Sequence, residues 1–304
     1  MVPGAVVTMA RAAIRLTTRL VISLAASAAV CVGAMVPLPA AEVSQTPAPA
    51  CGGDETAHGT VSRIVDGRTV VLADGREVRL AAIEVPPLLS PQSTGQAPSG
   101  ALAKEALAAL AQGDEIVLRR ADADTDRYGR LVGYAYALRD GDALFIQGEL
   151  ISAGLARAGD HIVGRNCAAE LLNREQAARA AKLGLWADPY YEVLQAETPA
   201  DILAQRGRFA LVEGKVVSVR DSGATIYVNF GQRWSEGFTV TVLKRNERNF
   251  AAVGLNLSSL AGRRIRVRGW IEARVSTADV AGSGNGGAPL IEAARPEQIE
   301  TGGL

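Results

Sequence analysis

Two Asp-Gly dipeptides, at residues 66–67 and 74–75, constrain the fold of this chain more than any other feature. They separate three short apolar segments within residues 59–83, and Asp-Gly between alternating apolar residues is a strong signal for a tight β-hairpin turn. Strand patterns recur at 116–119 and 133–138. The first half of the chain is therefore predicted to be a meander of short strands.

Helical segments accompany these strands. Apolar periodicity and terminal glycines predict helices at 99–111, 144–153 and 167–182. Three strands, a helix, two strands and closing helices are typical of an oligonucleotide/oligosaccharide-binding (OB) barrel with helices packed on it. We therefore expect a mainly β protein with additional α-helices, in the α+β class.

A second set of strand patterns begins after residue 207. It comprises five strands with a helical or turn region before the fourth, again the arrangement of an OB-like barrel. The predicted organisation is a barrel domain at 55–190, a linker at 191–207 and an OB-like domain at 208–300, preceded by a Pro/Gly-rich linker at 42–54. Each barrel has its own strands, so we expect fragments of the two to fold separately.

The charge of the chain limits the ways in which it could bind nucleic acid. Lys and Arg together number 32, as do Asp and Glu, and the leader at 1–41 contains three basic residues and no acidic one. From residue 42 onward the chain therefore carries more acidic than basic residues, which excludes a basic tail or a basic domain as the binding element. Contacts with phosphates have to come from a local arginine cluster.

The N-terminus has the pattern of an export signal. Arg11, Arg15 and Arg19 precede an uncharged apolar stretch at 20–36, which ends in a Pro/Ala-rich segment. This pattern predicts a secretory signal at 1–41 that is cleaved near Ala40. The alternative is an uncleaved anchor in the inner membrane, formed by residues 20–36. We expect a periplasmic or secreted protein that contacts a membrane only through this segment.

Export leaves two cysteines in the mature chain. Cleavage removes Cys31, so that Cys51 and Cys167 remain, and an oxidising compartment favours a bridge between them. We therefore predict a Cys51–Cys167 disulfide. His58 and His161 have no further His or Cys at metal-ligand spacing, so a zinc site is not expected.

Four motifs of the barrel domain predicted at 55–190 occur together in a known family. They are Ile64-Val-Asp-Gly-Arg-Thr-Val, Val78-Arg-Leu-Ala-Ala-Ile-Glu-Val-Pro, Thr125-Asp-Arg-Tyr-Gly-Arg and Leu183-Gly-Leu-Trp. On these motifs residues 59–188 resemble a thermonuclease, or staphylococcal nuclease-like, domain. Residues 208–300 resemble the OB-like domain that accompanies such domains in some bacterial envelope proteins, through Tyr227-Val-Asn-Phe-Gly, Arg268-Gly-Trp-Ile and Pro296-Glu-Gln-Ile-Glu.

The resemblance implies a calcium-dependent phosphodiesterase site. In the family, carboxylates hold calcium, a glutamate activates water and two arginines bind the phosphate. The arginines correspond to Arg79 and Arg130 and one carboxylate to Glu84, whereas the other carboxylate falls on Arg68 and the glutamate base on Pro87. Calcium takes about six to eight oxygen ligands, and a general base contributes about 10²–10⁴-fold. These changes predict a degenerate site without a cofactor; calcium held by Glu84 is the alternative.

The expected function is binding of nucleic acid, another polyanion or a protein partner of the cell envelope. Candidate ligand contacts are Arg68, Arg79, Arg130 and the neighbouring Tyr128, together with Trp234 as an exposed aromatic of the second barrel. Two alternatives remain open. One is a nuclease with residual or rearranged activity on DNA or RNA, and the other is an ion-pair network in which Arg68 binds Glu84.

Three further arginines alternate along one predicted strand of the second barrel. They are Arg264, Arg266 and Arg268. Residues two apart on a strand share one face of the sheet. The pattern therefore predicts a basic stripe or, alternatively, an ordinary solvated face.

Overall fold

The computed structural model describes residues 49–88, 99–233, 235–274 and 287–302. The predicted leader at 1–41, with its alternative anchor at 20–36, lies outside the described residues, as do Trp234 and most of the linker at 42–54. None of the helices in the described ranges has both the length and the apolar character that crossing a bilayer requires.

The strands of the first barrel follow the meander that the Asp-Gly turns predict. They are β1 (Glu55–Asp66), β2 (Thr69–Leu72), β3 (Glu77–Leu80), β4 (Ile83–Glu84), β5 (Glu115–Thr125), β6 (Leu131–Arg139), β7 (Asp142–Phe145) and β8 (Arg157–Ala158). Strands β1 to β3 form consecutive antiparallel hairpins, and the main sheet has the order β3-β2-β1-β5-β6-β7. A parallel pairing of β3 with β6 closes the barrel, whereas β4 pairs separately with β8.

Helices pack on this barrel near the positions predicted from the sequence. They are α1 (Ser99–Ala111), α2 (Ile146–Ser152) and α3 (Arg165–Ala180). Leu107, Leu150 and Leu171 bring one face of each helix into the same core cluster as the strands, and burial of each such side chain stabilises the fold by about 1.5–3 kcal/mol. The predicted mainly β class with packed helices is confirmed.

A disulfide joins Cys51, which precedes β1, to Cys167 in the first turn of α3. The predicted pairing is thus confirmed, and both residues are buried. The Tyr136 hydroxyl donates a hydrogen bond to the Cys51 carbonyl oxygen at 2.8 Å. The bridge therefore fastens the start of the barrel to its last helix.

The segment between the barrels, predicted as a linker at 191–207, carries short ordered elements. After 3₁₀ turns at Gly184–Ala187 and Pro189–Tyr191 come β9 (Leu194–Gln195) and α4 (Pro199–Leu203). Strand β9 pairs in parallel with the first strand of the second barrel. From residue 48 onward the chain forms one compact unit, and separate folding of the two barrels stays a prediction.

The second barrel has the OB-like arrangement expected from the sequence. Its elements are β10 (Phe209–Lys215), β11 (Ser218–Ser222), β12 (Thr225–Asn229), β13 (Thr239–Leu243), α5 (Lys244–Ala252), β14 (Arg264–Trp270), β15 (Glu272–Arg274), β16 (Ala288–Glu292) and β17 (Ile299–Glu300). One sheet has the order β17-β14-β10-β9 and the other β11-β12-β13-β16-β15. Phe238, Phe250 and Val267 are fully buried between them in one core cluster.

The arginines of β14 are paired with carboxylates and do not form a free basic stripe, whereas the solvated face predicted as the alternative is found at Arg264, which is half-exposed. Arg264 and Arg266 bind the Glu213 carboxylate at 2.7 and 2.5 Å. Arg268 is buried, and its Nη2 lies 2.7 Å from Glu175 Oε2 in α3. At Arg268 this face packs against the first barrel, so Glu175 rather than water neutralises the guanidinium group, whereas Arg264 and Arg266 pair with Glu213 of β10 within the second barrel.

Candidate anion-binding site

Arg68 lies at the tight turn between β1 and β2 and reaches across the mouth of the first barrel. The Asp66 carboxylate accepts a hydrogen bond from the Arg68 backbone N–H at 2.9 Å, which fixes the turn. At the preceding position only glycine fits, because a Cβ on Gly67 would lie 2.6 Å from Val85 and 2.7 Å from Ala103. The turn therefore fixes the backbone from which the Arg68 side chain extends.

Glu84 receives the Arg68 side chain. Arg68 Nη1 donates to Glu84 Oε2 at 2.6 Å and to the Ile83 carbonyl oxygen at 3.3 Å. Burial raises the pKa of the Glu84 carboxyl, and the charges of Arg68 and Arg79 offset only part of that effect. The ion pair suggested as one alternative from the sequence is present.

Arg79 lies on β3 close to both other arginines of the predicted trio. Burial, followed by repulsion from Arg68, lowers the pKa of the Arg79 guanidinium, while Glu84 offsets part of this and Arg130 adds to it. Among the described residues, Arg79 is the member of the trio without a carboxylate ion pair, since Arg68 binds Glu84 and Arg130 binds Asp126. The guanidinium N–H groups of Arg79 are therefore available to donate hydrogen bonds to a ligand.

Arg130 is oriented by Asp126. Its Nε and Nη2 bind the Asp126 carboxylate at 2.8 and 2.6 Å, and the same carboxylate accepts the backbone N–H of Tyr128 at 2.9 Å. Burial opposes ionisation of Asp126, but its hydrogen bonds, above all that from Arg130, hold its pKa below the ordinary value. Tyr128 is 68% exposed, and the Arg127 and Arg130 guanidinium carbons lie 4.8 and 5.2 Å from its ring centre.

The residues at this mouth do not fit a calcium site. Glu84 is engaged by Arg68, and the permanent positive charge of Arg68, which stands where the resemblance expects a carboxylate, repels a dication. Within the described ranges no group of three His, Cys, Asp or Glu side chains could hold a metal ion. Pro87, which stands where the resemblance expects a general base, is exposed and has no proton acceptor on its side chain.

Two clefts adjoin Glu84. The smaller, of about 270 Å³, is lined by Arg79, Asp126 and Asp160 among others. The larger, of about 560 Å³, lies between the two barrels and contains Arg68 together with residues that sequence reasoning missed. Chief among these is Arg157, whose one sequence signal is a charge in the small-residue stretch Ala156-Arg157-Ala158.

Comparison with known proteins agrees with the nuclease-like fold of the first barrel. The family of staphylococcal nuclease homologues matches residues 77–188. Protein ParB of Escherichia coli is 32% identical over 139 residues, which cover 44% of this chain and 74% of that protein. Micrococcal nuclease of Shigella flexneri is 34% identical over 145 residues, or 43% of this chain and 75% of that protein. The family match includes Arg79, Glu84 and Arg130, whereas Arg68 lies in the turn that precedes it.

Proposed function

Because this chain belongs to the family of staphylococcal nuclease homologues, we propose that its first barrel binds nucleic acid or a similar polyanion without calcium-dependent hydrolysis. The nuclease-like fold supports nucleic acid as the ligand at a coarse level. The altered residues at the barrel mouth support the finer part of the proposal, that binding does not lead to cleavage.

A single contact carries this proposal. The Arg68 guanidinium lies 2.6 Å from the Glu84 carboxylate and thereby neutralises the carboxylate that the family would use for its metal. Replacing a carboxylate by a guanidinium adds positive charge to the mouth, which favours an anion and disfavours calcium. Hydrolysis through the family's route is then disfavoured for two reasons. The metal carboxylate is neutralised, and Pro87 has no side-chain group that could act as a general base.

Arg79 and Arg130 supply the donors for a phosphate. Arg79 lacks a carboxylate partner among the described residues, and Asp126 holds Arg130 in a fixed orientation beside the exposed ring of Tyr128. Guanidinium groups bind phosphate oxygens through paired hydrogen bonds, and an exposed aromatic ring can stack on a base. The arrangement suits a single strand better than a duplex, whose bases are already stacked.

We also propose that the protein acts outside the cytoplasm. The Cys51–Cys167 disulfide supports an oxidising compartment. Export to the periplasm or cell exterior, retention at the inner membrane through residues 20–36, and envelope protein partners belong to this proposal.

Binding of labelled oligonucleotides to the purified full chain tests the function. Single-stranded DNA, duplex DNA and RNA are titrated in calcium and in chelator, and the same samples are examined for shortened products. We expect salt-sensitive binding that chelator leaves unchanged, and intact oligonucleotides throughout.

Matched variants assign the binding to the site. Arg79→Gln should weaken binding and reduce the slope of log K against log salt by about 0.7 for a single strand, since one phosphate contact is lost. Arg76→Gln is the control, because Arg76 is an exposed arginine paired with Asp74 in a neighbouring turn. Equal loss in both variants would mean that binding reflects overall charge and not the barrel mouth.

The competing function is phosphodiesterase hydrolysis with a rearranged site. It is favoured by Glu84, Arg79 and Arg130, which retain the family's residue types and interact electrostatically here. Calcium-dependent shortening of the oligonucleotide, abolished by Glu84→Ala, would establish this function in place of the first.

A further inference from the structure

The larger cleft lies between the barrels and is lined from three parts of the chain. The first barrel contributes Arg68, Glu84 and Arg157, the connecting segment contributes Tyr190 and Tyr191, and the second barrel contributes Phe209 and Trp270, with Arg208 immediately before β10. Its volume of about 560 Å³ is in the range of small-molecule sites. The cleft is distinct from the pocket at Arg79, although both touch Glu84.

Arg157 is the unusual residue of this cleft. It is 9% exposed, and its guanidinium carbon lies 5.3 Å from the Tyr191 ring centre and 5.2 Å from that of Phe209. Its Nε is buried without a hydrogen-bond partner, and the guanidinium forms no ion pair with any residue in the described ranges. Burial lowers the pKa of Arg157 to about 10, so the side chain stays charged at neutral pH.

Within the described residues, no carboxylate is left free to pair with this charge. The two carboxylates that act on Arg157 most strongly are Glu175 and Glu84. Arg268 binds Glu175 through two hydrogen bonds, of 2.7 and 3.2 Å, and Arg68 binds Glu84. A buried charge without a partner is costly to a fold, and its retention here, at the wall of an open cleft, indicates a partner that comes from solution.

Aromatic rings form the rest of the wall. Trp270 is 43% exposed and contacts Phe209 edge to face, with ring centres 5.9 Å apart. Tyr190 and Tyr191 meet edge to face at 5.0 Å, and the Arg208 guanidinium covers the Tyr190 ring. An exposed indole stacks well on a planar ring, so the cleft combines a positive end with a stacking surface.

We propose that the cleft between the barrels binds a phosphomonoester attached to a planar ring, the chemistry of a nucleoside monophosphate, with the phosphate at Arg157 and the ring against Trp270. Arg208 adds a second positive charge, and the three arginines of the cleft exceed its two carboxylates, Asp66 and Glu84. A free mononucleotide and the phosphorylated end of a strand share this chemistry. The proposal does not depend on polyanion binding at Arg79.

Calorimetry on the purified full chain tests the proposal with four kinds of probe. These are adenosine 5′-monophosphate, adenosine, inorganic phosphate, and a short oligonucleotide with or without a 5′-phosphate. We expect the monophosphate to bind more tightly than adenosine or phosphate alone. A 5′-phosphate that tightens oligonucleotide binding in the unmodified chain but not in Arg157→Met would identify a strand end as the source. The proposal would be overturned if adenosine 5′-monophosphate bound no more tightly than adenosine or inorganic phosphate and the 5′-phosphate had no effect on oligonucleotide binding.

Substitutions locate the site. Arg157→Met should weaken monophosphate binding on the order of 10- to 100-fold, the range for losing charge-assisted hydrogen bonds. It should also raise the unfolding temperature of the ligand-free protein, because a buried unpaired charge is replaced by an apolar chain of similar length. Arg76→Met, at an exposed paired arginine, is the control for both readouts. Unchanged affinity in Arg157→Met would overturn the proposal.

A second variant keeps the test decisive if Arg157→Met does not fold. Trp270→Ala should abolish the preference for the monophosphate over inorganic phosphate, whereas a retained preference would contradict stacking on Trp270. Arg79→Gln separates the two sites, since it should weaken oligonucleotide binding at the barrel mouth far more than it weakens the binding of adenosine 5′-monophosphate. Loss of mononucleotide binding in Arg79→Gln would show that the cleft is not a separate site.

Discussion

Arg268 of the second barrel and Glu175 of the first form an ion pair in which each side chain is only 1% exposed. Two hydrogen bonds join them, and Arg268 also donates to the Ala158 carbonyl oxygen at 2.9 Å and to Glu300 at 2.5 Å. Burial by itself would lower the pKa of Arg268, but the two carboxylates outweigh it and raise that pKa. The barrels are thus joined by a charged contact that water does not reach.

Removal of one partner from this pair should destabilise the protein strongly. Arg268→Met leaves Glu175 buried without its main partner, and the expected loss in free energy of unfolding is about 3–5 kcal/mol. Urea denaturation measures it. Arg264→Gln, at a half-exposed arginine paired with Glu213, should cost less than about 1 kcal/mol. Equal losses would contradict a special role for the buried pair.

The protein should become less stable at acid pH because Glu300 becomes protonated. Burial opposes its ionisation, but Arg268, Arg266 and Arg179 outweigh burial and hold the Glu300 pKa below its ordinary value of 4.5. The folded state therefore binds this proton less readily than the unfolded state. The stabilisation is complete above pH 4.5 and is lost as pH falls from there through the folded pKa.

Glu300→Gln provides the measurement. The variant should be less stable than the unmodified protein at neutral pH, and the difference between them in urea denaturation should shrink below pH 4.5. A difference that stays constant from neutral to acid pH would contradict this assignment.

Part of this structure follows from the sequence, and the rest depends on long-range contacts. Local turn chemistry at Asp66-Gly67 and Asp74-Gly75 predicts the hairpins, and strand alternation places Arg264, Arg266 and Arg268 on one face. The pattern does not say what covers that face, because the docking of α3 against it is decided far away in the chain. Likewise Arg157 lies in a two-residue strand whose partner, β4, is more than 70 residues earlier. A strand of two residues shows no periodic pattern, and the sequence does not reveal a pairing over that distance.

Restoring carboxylates at the altered positions of the barrel mouth should allow the site to bind calcium. Arg68→Asp combined with Pro87→Glu returns a carboxylate to each position where the family resemblance expects one. We expect calorimetry to show calcium binding in the double variant that is absent from the unmodified chain and is abolished by adding Glu84→Ala. Arg68→Gln is the control, since it removes the cation without adding a ligand. Saturable micromolar calcium binding by the unmodified protein, lost in Glu84→Ala, would refute the metal-free site.

The disulfide should contribute substantially to stability. Cys51 and Cys167 are separated by 116 residues, and closing a loop of this length stabilises by up to about 5 kcal/mol in the chain-entropy model. The double Cys51→Ala, Cys167→Ala variant should lose stability towards that limit. Thiol labelling of the denatured protein is the companion measurement. Reductant should expose two further thiols per chain, and equal labelling before and after reduction would show that the bridge does not form.

The segment that connects the barrels affects how a ligand would enter the cleft between them. Strand β9 extends the sheet of the second barrel, while Tyr191, just before it, packs in one cluster with Trp186 and Phe209. The segment is therefore tied to both barrels, and we expect it to hold the cleft between them at a fixed width. A cleft of fixed width selects ligands by their size and shape. Binding then requires little rearrangement of the protein, so little free energy is spent on ordering it.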